Sequence, residues 1–320
     1  MTSALFPLKL YGSNISYFTG KLEMYLRAKG IPYELLPLKA PGDRLRVQRA
    51  TGADQMPAVT LADGRWMTDT TPIMAWLEEQ VPSPPLYPTD PEQRFFSLLL
   101  EDYADEWLWR PAMHYRWYSS EGAMFASRHL ALELMGGIPL PGALKRLVLR
   151  RRQRGGYTRG DGVRESNRQQ VEAVYHDNLA WLLAVLQERP FLLGDSPSLV
   201  DIAFMGAMFR HFSQDPVPAE IMRQKAPAVF EWIARLWNAG PSGSRGTRRV
   251  HRGAARPLRD RRGALMDNAA FPGPSGVRAS CLIWEEVAQN APEDCCPDCR
   301  AFARGPCPAR FRPGGRRRRS

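Results

Sequence analysis

The sequence predicts a small α/β domain, then an all-helical domain, then a disordered tail. Three observations predict this. The first 80 or so residues alternate strand and helix patterns. From about residue 93 to 240 the apolar spacing is helical, with little strand pattern. After Gly240 the chain turns abruptly to Arg, Gly and Pro.

In the first domain, residues 7–11 (PLKLY) read as a strand stopped by the turn signal GSN. SYFTGKLEMYLRAKG sets Leu22, Tyr25 and Leu26 at helical spacing and ends at Gly30, a natural C-cap. IPYELLPL reads as a second strand, and DRLRVQRATG as a polar helix closed by Gly52. MPAVTL and RWMT are short strands around the turn ADG, and DTTPIMAWLEEQ is a helix with Asp69 or Thr70 as N-cap. The order is βαβαββα. A strand–helix–strand start requires a parallel pair with a crossover, and the ADG hairpin adds an antiparallel edge.

The domain spans 1–81, and a Pro-rich linker follows at 82–92. The helical-bundle domain covers 93–240, with apolar-periodic segments at 93–118, 121–135, 142–152, 165–188, 199–212 and 227–238. The tail, 241–320, carries 17 Arg, no Lys and 7 acidic residues, so it holds +10 of the chain's +11. Such a stretch cannot bury enough apolar surface to offset its ordering entropy. It reads either as a functional tail or as the translation of a shifted frame.

With 44% hydrophobic residues the chain can bury a sizeable core, and no run of 18 apolar residues suggests a membrane span. All five cysteines lie in the tail, and MTSALFPLKLYG lacks the basic and apolar regions of a signal peptide, so a cytoplasmic location is expected. Cys296 and Cys299 have redox or zinc spacing but no nearby His, and no metal is expected. The terminal RRRR implies no specific nucleic-acid partner. LKRLVLRRRQRGG reads as a solvated basic helix end, with a phosphate or membrane site as the other reading.

Several local motifs point to chemistry. TGADQMPAVTL resembles the N-P-x-G-K-V-P-x-L pattern of the glutathione S-transferase superfamily, with Pro57 in the last proline's place. The resemblance implies a thioredoxin-like first domain, a cis bond before Pro57, and Met56 offering its backbone to the cysteine of glutathione, with Gln55 as a further contact. Asp69–Thr70 looks like the family's Glu–Ser pair opening the third helix. A helix N-terminus and hydroxyl suit a carboxylate, and the acid suits an ammonium. Those are the charged groups of a γ-glutamyl moiety; a plain N-cap is the other use of the pair. Ser198 to Asp201 resembles the family's capping box, and APAVFEWIARLW its late helix, with Pro227 and Trp232 in place.

SYFTGKLEMYL resembles the family's S-P-[YF]-x-x-K-[VL], which puts Ser16 where a hydroxyl or thiol activates the glutathione sulfur. A hydroxyl at a helix N-terminus donates to sulfur, and the helix dipole favours thiolate. Tyr17 stands where the family has Pro, and Gly20 where Arg is common. Ser13, Asn14, Tyr11 and Tyr17 are rival donors, and Ser16 also reads as a simple N-cap. KLEMYLRAKGIPYE is also similar to the metaxin and failed-axon-connections branch, which is thought not to depend on glutathione. On PAMHYRWYS and the residues before it, Trp109, His114 and Trp117 are candidates for a second-substrate pocket, His114 equally reading as a satisfied packing residue.

The resemblance thus implies a homodimeric transferase joining the thiolate of glutathione, its co-substrate, to a small electrophile. The alternative is a non-catalytic binding or scaffold protein on the same fold. Conjugation, thiol exchange, isomerisation and peroxide reduction all remain open.

Overall fold

The structure is a computed structural model describing residues 5–39 and 41–240. The tail and its five cysteines lie outside the described residues.

The first domain runs β1 (Leu8–Gly12), α1 (Tyr17–Lys29), β2 (Tyr33–Pro37), α2 (Pro41–Thr51), β3 (Ala58–Thr60), β4 (Trp66–Thr68) and α3 (Thr70–Gln80). The expected order is present, with boundaries shifted by a residue or two. The strands lie in the order β2-β1-β3-β4. β1 pairs parallel with β2 from Leu8↔Tyr33 to Gly12↔Pro37, because α1 must cross over between them. β1–β3 and β3–β4 are antiparallel, the latter joined by the ADG turn with Gly64 at φ 88°. Alternation along β1 sends Leu8 and Leu10 to the core shared with α1 and α3, and Tyr11 to the opposite face with Val47 of α2.

The second domain comprises α4 (Pro91–Trp107), α5 (Trp109–Tyr118), α6 (Ser120–Met135), α7 (Gly142–Arg152), α8 (Arg168–Leu186), α9 (Leu199–Ala207), α10 (Pro216–Lys225) and α11 (Pro227–Trp237). The segment expected at 93–118 is two helices that meet at Leu108. α10 was not foreseen: PVPAEIMRQK holds two prolines, but Pro216 sits in the first turn, where its missing N–H costs nothing.

Every residue of α9 is buried, and its capping box is complete. Asp201 accepts from the Ser198 amide (2.9 Å), the Ser198 hydroxyl (2.7 Å), the Leu192 amide (2.9 Å) and the Trp232 indole (2.9 Å). One carboxylate therefore ties the α9 start to the preceding loop and to α11.

The two domains share a core in which α1 packs on α4 and α9. The contact is close enough to demand glycine. A Cβ on Gly206 would sit 2.3 Å from the Tyr17 ring, and one on Gly20 would sit 2.1 Å from Arg210 Cγ. The Arg-to-Gly departure at position 20 thus makes room for Arg210, which crosses α1 to pair with Glu23.

Candidate active site

A cavity of about 370 Å³ lies where the domains meet. From the first domain it gathers Ser16, Phe18, Arg44, Gln55, Met56, Pro57, Asp69 and Thr70; Trp109, Met113, Trp117, Leu130 and Leu134 come from the second. Eight of the nine residues proposed from the sequence as catalytic or ligand-binding groups, and as pocket groups, line this one space. The exception is His114. On α5, residues 109, 113, 116 and 117 share the face toward the cavity, and 114 lies about 100° around the helix from 113. His114 is buried there, its Nε2 2.9 Å from Glu172 Oε1 on α8. It is a packing histidine paired through one ring nitrogen, its Nδ1 being buried without a hydrogen-bond partner among the described residues.

The Met56–Pro57 bond is cis, as expected. Among the described residues the Met56 N–H and C=O make no hydrogen bond, and Met56 lines the cavity. Asp69 is the N-cap of α3, accepting from the Thr71 amide at 3.3 Å. It holds φ 72°, the one positive φ outside glycine among the described residues. Such strain persists only where surrounding contacts enforce it, and it clusters at ligand sites. Burial raises the Asp69 pKa, against the pull of the Thr71 amide and Lys21.

The turn before α1 is held from outside its own domain. Ser16 N–H donates to Ser13 O (3.0 Å), closing the turn. Glu133 of α6 accepts from the Ser13 hydroxyl, the Asn14 amide (3.1 Å) and the Asn14 side chain (3.1 Å). Arg116 of α5 donates to Ile15 O at 2.5 Å. The same buried guanidinium donates to Asp215 (2.8 Å), Arg210 O (2.6 Å) and His211 Nε2 (3.0 Å). Burial, then Arg116, hold the His211 pKa well below its ordinary value, so the ring is neutral and accepts from Arg116.

These contacts sort the rival donors. The Ser13 proton goes to Glu133 and the Tyr17 hydroxyl donates to Ala104 O at 2.6 Å. Tyr11 is stacked on Trp66 and is not among the residues lining the cavity, and Asn14 is turned to Glu133. Ser16 accepts from the Thr19 amide (3.4 Å) as N-cap and, among the described residues, donates to nothing. Its oxygen caps the helix and Ser16 lines the cavity, so the cap leaves the hydroxyl proton unused.

Along α4 the wall is acidic. Lys21, fully buried, bridges Glu101 (2.7 Å) and Asp105 (2.6 Å), and Thr71 donates to Glu101 at 3.0 Å. Burial opposes the Lys21 charge, but Asp105 and Glu101 more than offset it and raise its pKa. Asp102, Asp105 and Glu106 line the cavity, and burial raises the pKa of each, Asp105 to about 7. Neither Glu133 nor the Lys21 bridge was foreseen, because partners 80 to 120 residues apart leave no local pattern.

A mixed four-stranded sheet domain docked on a helical domain, with a cis-proline loop and a helix N-terminus facing one interdomain cavity, defines a class of two-domain folds. Residues 10–85 match the family model for the glutathione S-transferase N-terminal domain, and residues 151–239 that for its C-terminal domain. The chain belongs to the glutathione S-transferase superfamily. Among solved structures it is similar to the β-etherase LigF from Sphingobium sp. strain SYK-6, with 21% identity over 72% of this chain and 95% of that chain and a TM-score of 0.50. It is also similar to a glutathione S-transferase from Methylobacterium radiotolerans in complex with glutathione sulfonate, with 21% identity, 78% and 99% coverage and a TM-score of 0.45. At 21% identity the likeness to the first is one of fold. Residues 86–150, with all of α6 and most of α7, fall between the two family matches.

Proposed function

We propose that the protein binds glutathione and transfers its thiolate to a small electrophile. The observation that carries this reading is the convergence of Ser16, Gln55, Met56, Pro57, Asp69 and Thr70 on one cavity whose far wall is aromatic. Met56 would pair through its backbone with the cysteine of glutathione. Thr70 and the α3 N-terminus would take the γ-glutamyl carboxylate, and Asp69 the ammonium. Ser16 would donate to the sulfur, lowering the thiol pKa without itself ionising. The thiolate then attacks the electrophilic carbon. A C–S bond forms, the leaving group departs with the bonding electrons, and the thiol proton passes to solvent. Phe18, Trp109 and Trp117 would pack the electrophile; Phe18 and Trp109 already stack at 5.8 Å.

A binding titration with glutathione and a pH–rate profile with an aryl halide electrophile test this. Asp69→Ala should weaken binding by about 1.5–3 kcal/mol, the worth of a charged hydrogen bond, at similar turnover once saturated. Ser16→Ala should bind nearly as well and shift the rate profile to higher pH. No glutathione binding by the wild type leaves the non-catalytic scaffold as the reading. An unmoved profile in Ser16→Ala reduces Ser16 to a helix cap.

A further inference from the structure

Seven large apolar side chains are exposed among the described residues, and six lie between positions 124 and 148. They are Met124 and Leu132 on α6, Leu140 in the connection, and Leu144, Leu147 and Val148 on α7. Single exposed apolar residues are ordinary on a protein surface, but such a concentration is not. On α7, positions 144, 147 and 148 stand at i, i+3 and i+4 and form one stripe. Leu149 turns the other way, into a small core with Trp117, Ala126 and Leu130. Lys145 and Arg150 also reach inward, to Met135 O (2.7 Å) and the Ser127 hydroxyl (3.0 Å). One face therefore fastens α7 to α6, and the aliphatic stripe on the opposite face is uncovered.

Charge narrows the occupant. From Leu134 to Gly160 the chain has seven Lys and Arg and no Asp or Glu, while residues 1–240 carry a net charge of only +1. A second copy of this face would bring the same positive charge. The chain's own tail, with 17 Arg against 7 acids, would be repelled as well. A nucleic acid would satisfy the cations but offer the leucines nothing apolar to bury against. A bilayer surface with anionic headgroups meets both demands. Aliphatic side chains sink to the acyl boundary while arginines stay at phosphate level. We infer that α7 is a docking face for an anionic membrane surface. The contact is peripheral, since no described helix is long and apolar enough to cross a membrane. It does not rest on the transferase reading.

Full-length protein, sedimented with vesicles of phosphatidylcholine alone or with added phosphatidylglycerol over a salt series, tests the inference. The wild type should bind the anionic vesicles and release partly as salt rises. A Leu144→Ser, Leu147→Ser, Val148→Ser variant keeps every charge, the tail's included, and should bind about tenfold or more weakly. Its thermal midpoint should hold, because the three side chains face outward. Leu147→Trp, a gain no misfolding could mimic, should bind more tightly. If the triple variant binds like the wild type, the tail or charge alone is responsible and the inference fails. It also fails if duplex DNA displaces the wild type and binds both proteins equally. A change of mass in light scattering with unchanged vesicle binding would make the face a contact between copies, and overturn it too.

Discussion

Glu133→Ala should loosen the Ser13–Ser16 turn without emptying the cavity of its ligand groups. The carboxylate accepts three hydrogen bonds from this turn, but they differ in worth. Asn14 is exposed, so both its donors return to water and cost a few tenths of a kcal/mol at most. Ser13 is 1% exposed, and its hydroxyl loses its acceptor with no water to replace it. An unsatisfied buried donor costs about 1–3 kcal/mol. The sum is about 2 kcal/mol, or a fall in thermal midpoint of about 4–8 °C for a body of this size. Arg116 still holds Ile15 O, so the turn stays attached at one end and the fold survives. On the proposed reading the Ser16 hydroxyl then samples more orientations. Turnover should drop about tenfold, a misplacement effect, while glutathione affinity stays within about twofold because Met56, Asp69 and Thr70 are untouched. Calorimetry and steady-state kinetics read both quantities. An unchanged midpoint with unchanged turnover would refute the anchoring argument. A raised KM at constant kcat would instead make Glu133 a binding group.

Three further outcomes are expected. Burial raises the Asp105 pKa to about 7 in the folded protein, so between its ordinary value and 7 the folded chain holds a proton that the unfolded chain releases. That contribution to stability is complete at low pH and is lost as pH rises through 7; Asp105→Asn should flatten the decline in thermal midpoint from pH 5 to 8, and an unaltered slope would assign it elsewhere. Asp201→Ala strips four donors of their acceptor in a fully buried place and should cost about 3–5 kcal/mol; a loss below 1 kcal/mol by denaturant titration would show that the capping box is dispensable. Light scattering at micromolar concentration should give the mass of a homodimer, the assembly expected from the family, and a strictly monomeric mass would refute it.

What was legible in the sequence was local. Met56–Pro57, Asp69–Thr70 and Ser198–Asp201 are short motifs whose physics is contained in a few residues, and each takes the expected conformation. The choice among Ser13, Asn14, Tyr11, Tyr17 and Ser16 was not legible, because each rival of Ser16 is decided by a distant partner: Glu133, Trp66 or Ala104. Helix geometry alone separates His114 from the pocket residues. A helical wheel of α5 anchored on Trp109 puts 113, 116 and 117 on its side and 114 off it. The basic segment at 144–154 gave its charge from the sequence, but exposure of its leucines depended on which face α6 would cover.

The acidic wall bears on how a ligand like glutathione would lie. Asp69, Asp102, Asp105 and Glu106 line one side of the cavity, and the buried Lys21 is already shared between Glu101 and Asp105. Burial raises the pKa of these carboxyls, outweighing the pull of Lys21 on the aspartates and of Arg110 on Glu106. Arg44, on α2, lines the same cavity and is fixed by a forked pair with Asp54 at 2.6 Å. On the proposed reading, glutathione carries an ammonium beside a carboxylate at its γ-glutamyl end and a lone carboxylate at its glycine end. The two ends differ by one positive charge, so one direction is favoured in such a field. Its ammonium faces Asp69 and α4, and its far carboxylate faces α2. Reversed, it would bring a carboxylate against several acids in a low dielectric, where like charges repel most strongly. If glutathione binds as proposed, the wall would favour orientation more than affinity, with the middle residue of the peptide toward Met56 and Ser16.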